Sequence, residues 1–187
     1  MLILASSSPR RHELLWAAGV TFSVASPNID ETPREGERPV LYVERLAREK
    51  AAAVEGAFVI AADTTVECDG VILGKPADDA DARSMLQSLS DRSHFVHTGV
   101  AVRRGAEVAS LSVTTEVTFI ELTDVDVDWY ISTGEPSDKA GAYAMQGGAA
   151  RFVSAITGSV SGVVGLPMAE TMALLRAMEP APALSPF

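Results

Sequence analysis

Short apolar runs alternate along this chain with stretches whose apolar residues recur at helical spacing. Leu2-Ile3-Leu4-Ala5 is a compact apolar run and predicts a buried strand. From Arg11 to Ala18 the spacing changes, with Leu14, Leu15 and Ala18 on one helical face and Gly19 placed to stop the helix. Ser8 suits the N-cap, and Pro9 suits the first helical position, where its missing N–H costs nothing. Thr21 to Ala25 predicts a second strand, followed by a polar loop through Pro33. A longer helix opens at Pro39 and reaches about Glu55, with Val43, Leu46, Ala47, Ala51 and Val54 inward. Ala57 to Ala62 reads as a central strand that ends at Asp63-Thr64-Thr65. Asp69-Gly70 then predicts a type I′ hairpin between Val66–Cys68 and Val71–Leu73. Asp78 to Leu89 is an amphipathic helix, with Ala82, Met85, Leu86 and Leu89 inward. Two long strands follow, roughly His94 to Arg103 and Glu107 to Phe119. Thr123 with Asp126 forms a capping-box start for a helix ended by Thr133-Gly134. Phe152 to Ile156 reads as a strand, Gly158-Ser159 and Gly162 as loop, and a last helix runs through Met178. From Pro180 the Pro/Ala-rich residues predict a frayed tail.

At 187 residues the chain is one large domain or two small lobes, long enough to bury a proper core. No apolar run approaches the roughly 20 residues of a membrane span, and Met1-Leu2-Ile3 lacks the start of a signal peptide. A single cysteine, Cys68, excludes an internal disulfide framework and fits a reducing cytoplasm, the expected location. The net charge of −10 argues against nucleic-acid binding, because no basic surplus exists to displace counterions. A small polyanion can still be held by a few well-placed cations.

Those cations stand at element edges. The loop Ser6-Ser7-Ser8-Pro9-Arg10-Arg11 joins a strand end to a helix start, where free N–H groups and the positive dipole end face outward. It is either a phosphate cradle or a helix cap with two solvated arginines. Lys50 falls inside an apolar stripe, at i+4 from Leu46, and either snorkels to the rim or aims into a cleft. Lys75 follows the hairpin, which places it near Asp63. Asp63 itself is costly at the end of a buried strand unless it lines a site. Asp30-Glu31 reads first as surface charge and second as a metal-binding pair. The stretch from Asp138 and Lys139 to Gly148 has neither period, and its small residues suit a backbone that approaches a ligand. His94 and His97, three apart in a strand, point to opposite faces and share no metal, and His12 reads as exposed. Cys68 reads as an inert thiol. There is no GxxxxGK[ST], no GxGxxG and no oriented Ser–His pair. What remains, cations with isolated carboxylates, is the equipment of a phosphate-ester or anhydride hydrolase.

The chain also resembles the Maf family of nucleoside triphosphate pyrophosphatases from first strand to last helix. The matching stretches are Ala5 to Arg11 with Glu13-Leu14-Leu15, Arg45 to Ala51, Ala62-Asp63-Thr64, Gly74-Lys75-Pro76 and Thr98-Gly99-Val100. They continue through Gly134-Glu135-Pro136, Asp138 to Tyr143, Gln146-Gly147, Gly158-Ser159 and Val163 to Pro167. The resemblance implies an α/β fold, a mixed central sheet with flanking helices around a deep cleft, as in the inosine-triphosphate pyrophosphatases. Residues 1–179 then form a single domain of two lobes, and 180–187 a flexible tail. Val160 and Gly162 depart from the family's commoner Tyr and Asn.

The implied reaction is attack of water at the α-phosphorus of a nucleoside triphosphate, giving monophosphate and pyrophosphate. Asp63 matches the proton acceptor, with Lys75 and Lys50 as its catalytic companions. Arg10, Thr64 and Gln146 match the positions linked to specificity, and Ser8, Arg11 and Lys139 complete the expected substrate contacts. A divalent cation, Mg²⁺ before Mn²⁺, is expected on Glu31 and then Asp63. Ala62-Asp63-Thr64 and the Lys139 segment resemble the dTTP/UTP branch, and Gln146 offers the donor and acceptor that read the edge of thymine or uracil. The competing readings are a pyrophosphatase for 7-methyl-GTP or ITP, and a regulatory binding protein of septum formation. The expected partner is the small-molecule triphosphate, with no nucleic acid and no membrane, and a homodimer is compatible with the sequence.

Overall fold

A computed structural model describes residues 1–178 of the chain, so the expected tail at 180–187 lies outside the described residues. Seven strands build one mixed sheet: β1 (Leu2–Ala5), β2 (Phe22–Ala25), β3 (Phe58–Cys68), β4 (Val71–Leu73), β5 (Ser93–Arg104), β6 (Glu107–Phe119) and β7 (Val153–Thr157). Their spatial order is β2-β1-β3-β5-β6-β7, with β4 attached to β3. β1 is parallel to both its neighbours, and the remaining pairs are antiparallel. The helices are α1 (Pro9–Ala17), α2 (Pro39–Ala53), α3 (Asp79–Leu89), α4 (Asp124–Ser132), α5 (Val160–Val164) and α6 (Met168–Met178).

Three expectations change. The central strand does not end at Asp63; β3 runs on to Cys68 and pairs with β5 from Phe58↔Arg104 to Glu67↔Phe95. Polar residues looked like a strand end, yet Thr64, Thr65 and Val66 are β-branched and continue the ladder. The Gly158–Gly162 stretch is not all loop, because Ser159 caps the short α5, its Oγ accepting from the Gly162 N–H at 3.0 Å. Ser8 does occupy the N-cap of α1, but its side chain makes no capping bond. The hairpin, the Thr123–Asp126 capping box and the last helix form as expected.

The other edge of β3 explains where a cleft can open. β1 pairs with it only at Val59 and Ile60, and β4 takes over at Val66. Between them the strand carries no neighbour on that side. Two cores flank this notch. One is aliphatic, with Leu4, Ile60, Ala62, Val100 and Val102 packed on Leu15, Leu166 and Leu175. The other is aromatic, with Phe119, Tyr130, Tyr143 and Phe152 around Val66, Cys68, Val96, Leu86 and Leu89. β3 and β5 run through both.

On the opposite face of the aliphatic end, α2 packs Ala47, Ala51 and Val54 on Val59, Ala61 and Ala101. Gly99 lets the helix come this close. A Cβ there would lie 2.3 Å from the Val43 carbonyl oxygen, a backbone atom that cannot step aside.

Candidate active site

A cavity of about 460 Å³ lies over the notch. All ten residues singled out from the sequence line it: Ser8, Arg10, Arg11, Glu31, Lys50, Asp63, Thr64, Lys75, Lys139 and Gln146. Strand alternation decides which way the central pair points. Asp63 follows Val59 and Ala61 on the side covered by α2, whereas Thr64 follows Ile60 and Ala62 on the side of α1.

Lys50 resolves in favour of the cleft. It is 7% exposed, and its Nζ lies 2.6 Å from Asp63 Oδ1 and 2.9 Å from Glu31 Oε1. Two carboxylates compensate a buried ammonium that would otherwise be strongly destabilising. Asp63 is 6% exposed. Burial pushes its carboxyl above the usual carboxylate range, against the pull of Lys50 and Arg11. The result is a carboxylate more basic than an ordinary one, held on one oxygen only.

Arg11 is the most tied of the cations. Its Nε donates to the Gly165 carbonyl at 2.8 Å, Nη2 to Thr64 Oγ1 at 3.2 Å and Nη1 to Ser6 Oγ at 3.3 Å. Burial lowers its pKa, and the nearby Asp63 opposes that shift. Thr64 Oγ1 also meets Thr98 Oγ1 at 3.0 Å, and Thr98 donates to the Gly162 carbonyl at 2.8 Å. That bond uses the backbone of Gly162, so it does not depend on the side chain at that position. His12, expected to be exposed, is half-buried, and its Nε2 lies 2.9 Å from the Ser6 carbonyl oxygen. It helps hold the serine loop.

Among the described residues no carboxylate pairs with Arg10 or Lys75, which face the cavity as uncompensated cations. Lys139 pairs with its neighbour Asp138. Gln146 is exposed at the rim. Glu31 lines the cavity from its exposed rim, with its side chain 53% exposed, and Asp30 instead accepts from the Thr32 N–H at 2.9 Å in a local turn.

The loop bearing Glu31 is fastened to α2. Arg45 grips Glu37 with two bonds of 2.6 Å and reaches the Thr32 carbonyl at 3.3 Å, while the Tyr42 hydroxyl donates to the Glu31 carbonyl at 2.8 Å. The Arg45 fork holds the Glu37 carboxyl down to about 2. Sequence reading missed Arg45, Thr98 and Glu135. All three lie in the quoted matching stretches, but no periodicity marks them.

The remaining candidates stay outside the cavity. His94 Nε2 meets the Tyr143 hydroxyl at 2.8 Å, and His97 meets Thr114 and Glu67. The Cys68 thiol is buried, and burial pushes its pKa up, as befits an inert thiol. Among the described residues no three His, Cys, Asp or Glu side chains gather as a metal cage, and no helix is long and apolar enough to cross a membrane.

A mixed sheet with a cation-lined notch and a buried carboxylate is suited to a small polyanion. The Maf-like protein family model matches residues 1–178. A dTTP/UTP pyrophosphatase of Anaeromyxobacter dehalogenans (strain 2CP-C) is 55% identical over 179 residues, covering 94% of this chain and 92% of that protein. Proteins of the same name from Myxococcus xanthus and Pseudoalteromonas atlantica are 51% and 49% identical, over 94% and 95% of this chain and 91% and 97% of theirs. The chain belongs to the Maf family.

Proposed function

We propose that this protein is a nucleoside triphosphate pyrophosphatase that hydrolyses the α–β phosphoanhydride of dTTP and UTP. The names of relatives at about half identity support the substrate. The observation that carries the chemistry is the buried Asp63 gripped by Lys50 at 2.6 Å and facing the cavity. Lys50 fixes Oδ1, which leaves Oδ2 to orient a water and take its proton. The water oxygen bonds to the α-phosphorus, the bond from that phosphorus to the bridging oxygen breaks, and pyrophosphate leaves with the bonding pair. Arg10, Arg11 and Lys75 bring positive charge to the phosphates, and the Ser6-to-Ser8 loop lies where α1 begins.

A divalent cation fits this reading. Glu31 and Asp63 both reach the Lys50 ammonium, which puts two carboxylates on the same part of the cavity wall, where they would hold the ion together with substrate. Two carboxylates completed by substrate phosphates are the usual donor set of Mg²⁺. Such an ion would neutralise charge on the phosphates during attack. Gln146 at the rim reads the base, with Thr64 and Arg10 setting the register of the nucleotide. A reducing cytoplasm suits the single buried Cys68.

Pyrophosphate release from dTTP, UTP, CTP, GTP, 7-methyl-GTP and ITP tests the reading, with and without excess chelator. Release from dTTP and UTP, lost on chelation, is the expected result. A preference for 7-methyl-GTP or ITP overturns the branch, and no release from any triphosphate overturns the reaction. Full activity in chelator overturns the metal.

A further inference from the structure

Gln146 stands on a tight turn, closed by the Gly147 N–H donating to the Ala144 carbonyl at 3.0 Å. Both ends of that turn are tied to one piece of scaffold. At its start the Ala144 N–H donates to the phenol oxygen of Tyr130, a fully buried residue of α4, at 3.0 Å. At its end the Gly148 N–H donates to Glu135 Oε2 at 2.8 Å, from the 3₁₀ turn Glu135–Asp138 that follows α4. Neither Tyr130 nor Glu135 lines the cavity.

Gly147 shows how closely the carboxylate is fitted. Its φ of −122° is open to any residue. Yet a Cβ at Gly147 would lie 2.0 Å from Glu135 Oε1, and the three nearest atoms all belong to that carboxylate. A side chain at position 147 would therefore displace the Glu135 carboxylate. Burial, helped by the Glu135 charge, pushes the Tyr130 phenol up, so the hydroxyl stays protonated.

We propose that Glu135, together with Tyr130, is a positioning residue for base selection, holding from below the turn that presents the Gln146 amide. This rests on the reading of Gln146 as the base-contacting side chain. An amide on an exposed turn samples many orientations, and a hydrogen-bonding readout discriminates only when the amide is held in place. The carboxylate and phenol supply that hold through two backbone N–H groups, and removing either acceptor leaves a donor unpaired.

The test compares kcat/KM for UTP and CTP, which share sugar and phosphates and differ at the base edge. Gln146→Ala comes first and is expected to flatten the UTP-over-CTP ratio. Glu135→Ala is expected to lower the ratio about tenfold, with more of the loss in the KM for UTP than in kcat. Glu135→Gln keeps an acceptor oxygen in place and is expected to restore most of it. Gly147→Ala pushes against the same carboxylate with Glu135 intact and is expected to lower the ratio as well. In the Glu135→Ala background that alanine has no carboxylate to strike, so its effect should largely vanish. If Gln146→Ala leaves the ratio alone, the base-reading role of Gln146 is wrong. If Gln146→Ala flattens the ratio while Glu135→Ala and Gly147→Ala both keep it, the positioning role is wrong. Should Glu135→Ala fail to fold, Glu135→Gln and Gly147→Ala decide: a lowered ratio in Gly147→Ala alone supports the role, and an unmoved ratio in both overturns it.

Discussion

A single carboxylate carries the proposed chemistry, and it holds that place against the energetics of burial. Asp63 is removed from water, which raises its pKa, and is kept usable by Lys50 at 2.6 Å and by Arg11. Asp63→Asn retains the shape and removes the base, so turnover is expected to fall about 10²–10⁴-fold with the fold intact. Near wild-type turnover would overturn the role. The sign of the pH effect follows from the direction of the shift. A base acts only when deprotonated, and a raised pKa moves its loss of activity to higher pH than for an ordinary aspartate. Carbon-13 titration of the Asp63 carboxyl in the free protein should therefore show a midpoint above 3.8, the ordinary value. A midpoint at or below that value would mean that Lys50 and Arg11 outweigh burial.

The elements bring these residues together by devices of unequal visibility in the sequence. α2 was legible because its stripe is local, and Lys50 stood out as a charge inside that stripe. Asp63 is legible as a carboxylate out of place, although the sequence around it reads as a strand end. The continuation of β3 depends on pairing with β5, some 30 residues further on, which no local pattern reports. α5 is hidden for a similar reason: its Gly-containing sequence reads as loop, and only the fold shows Ser159 capping it. Arg45 is not legible because, beside an i,i+4 bond to Glu49 on its own helix, most of its bonds go to a distant loop. It grips Glu37 and Thr32 and thereby fastens the segment bearing Glu31. Arg45→Lys loses the planar two-bond grip. On the proposed Mg²⁺ requirement with Glu31 as a ligand, the Mg²⁺ concentration for half-maximal rate is expected to rise about tenfold, as when a supporting residue behind a metal ligand is lost. An unchanged Mg²⁺ dependence would show that the loop holds Glu31 without help.

At the scale of the molecule, the two cores are joined by β3 and β5, and buried imidazoles, His94 foremost and His97 in the same direction, make their joint stability depend on pH. His94 is 1% exposed, between Phe119 and Tyr143 in the aromatic core, and burial lowers its pKa to about 4. The unfolded chain takes up a proton near 6.5, which the folded chain refuses until about 4. Stability therefore rises with pH through this window and drains as pH falls, by about 3 kcal/mol across it. Urea unfolding at pH 4.5 and 7 should show the loss, and His94→Gln should reduce it. An equal loss in that variant would place the sensitivity elsewhere.

The ten-pair ladder between β3 and β5 has one further consequence. A residue inserted near Thr65 would turn every later side chain of β3 to the other face, expelling Val66 and Cys68 and driving Glu67 inward. The floor of the cleft can thus be neither stretched nor shortened by small steps, while the loops around it stay free to vary. It behaves as a ruler. Along it Asp63 and Thr64 keep their places on opposite faces, whatever the loops around them do.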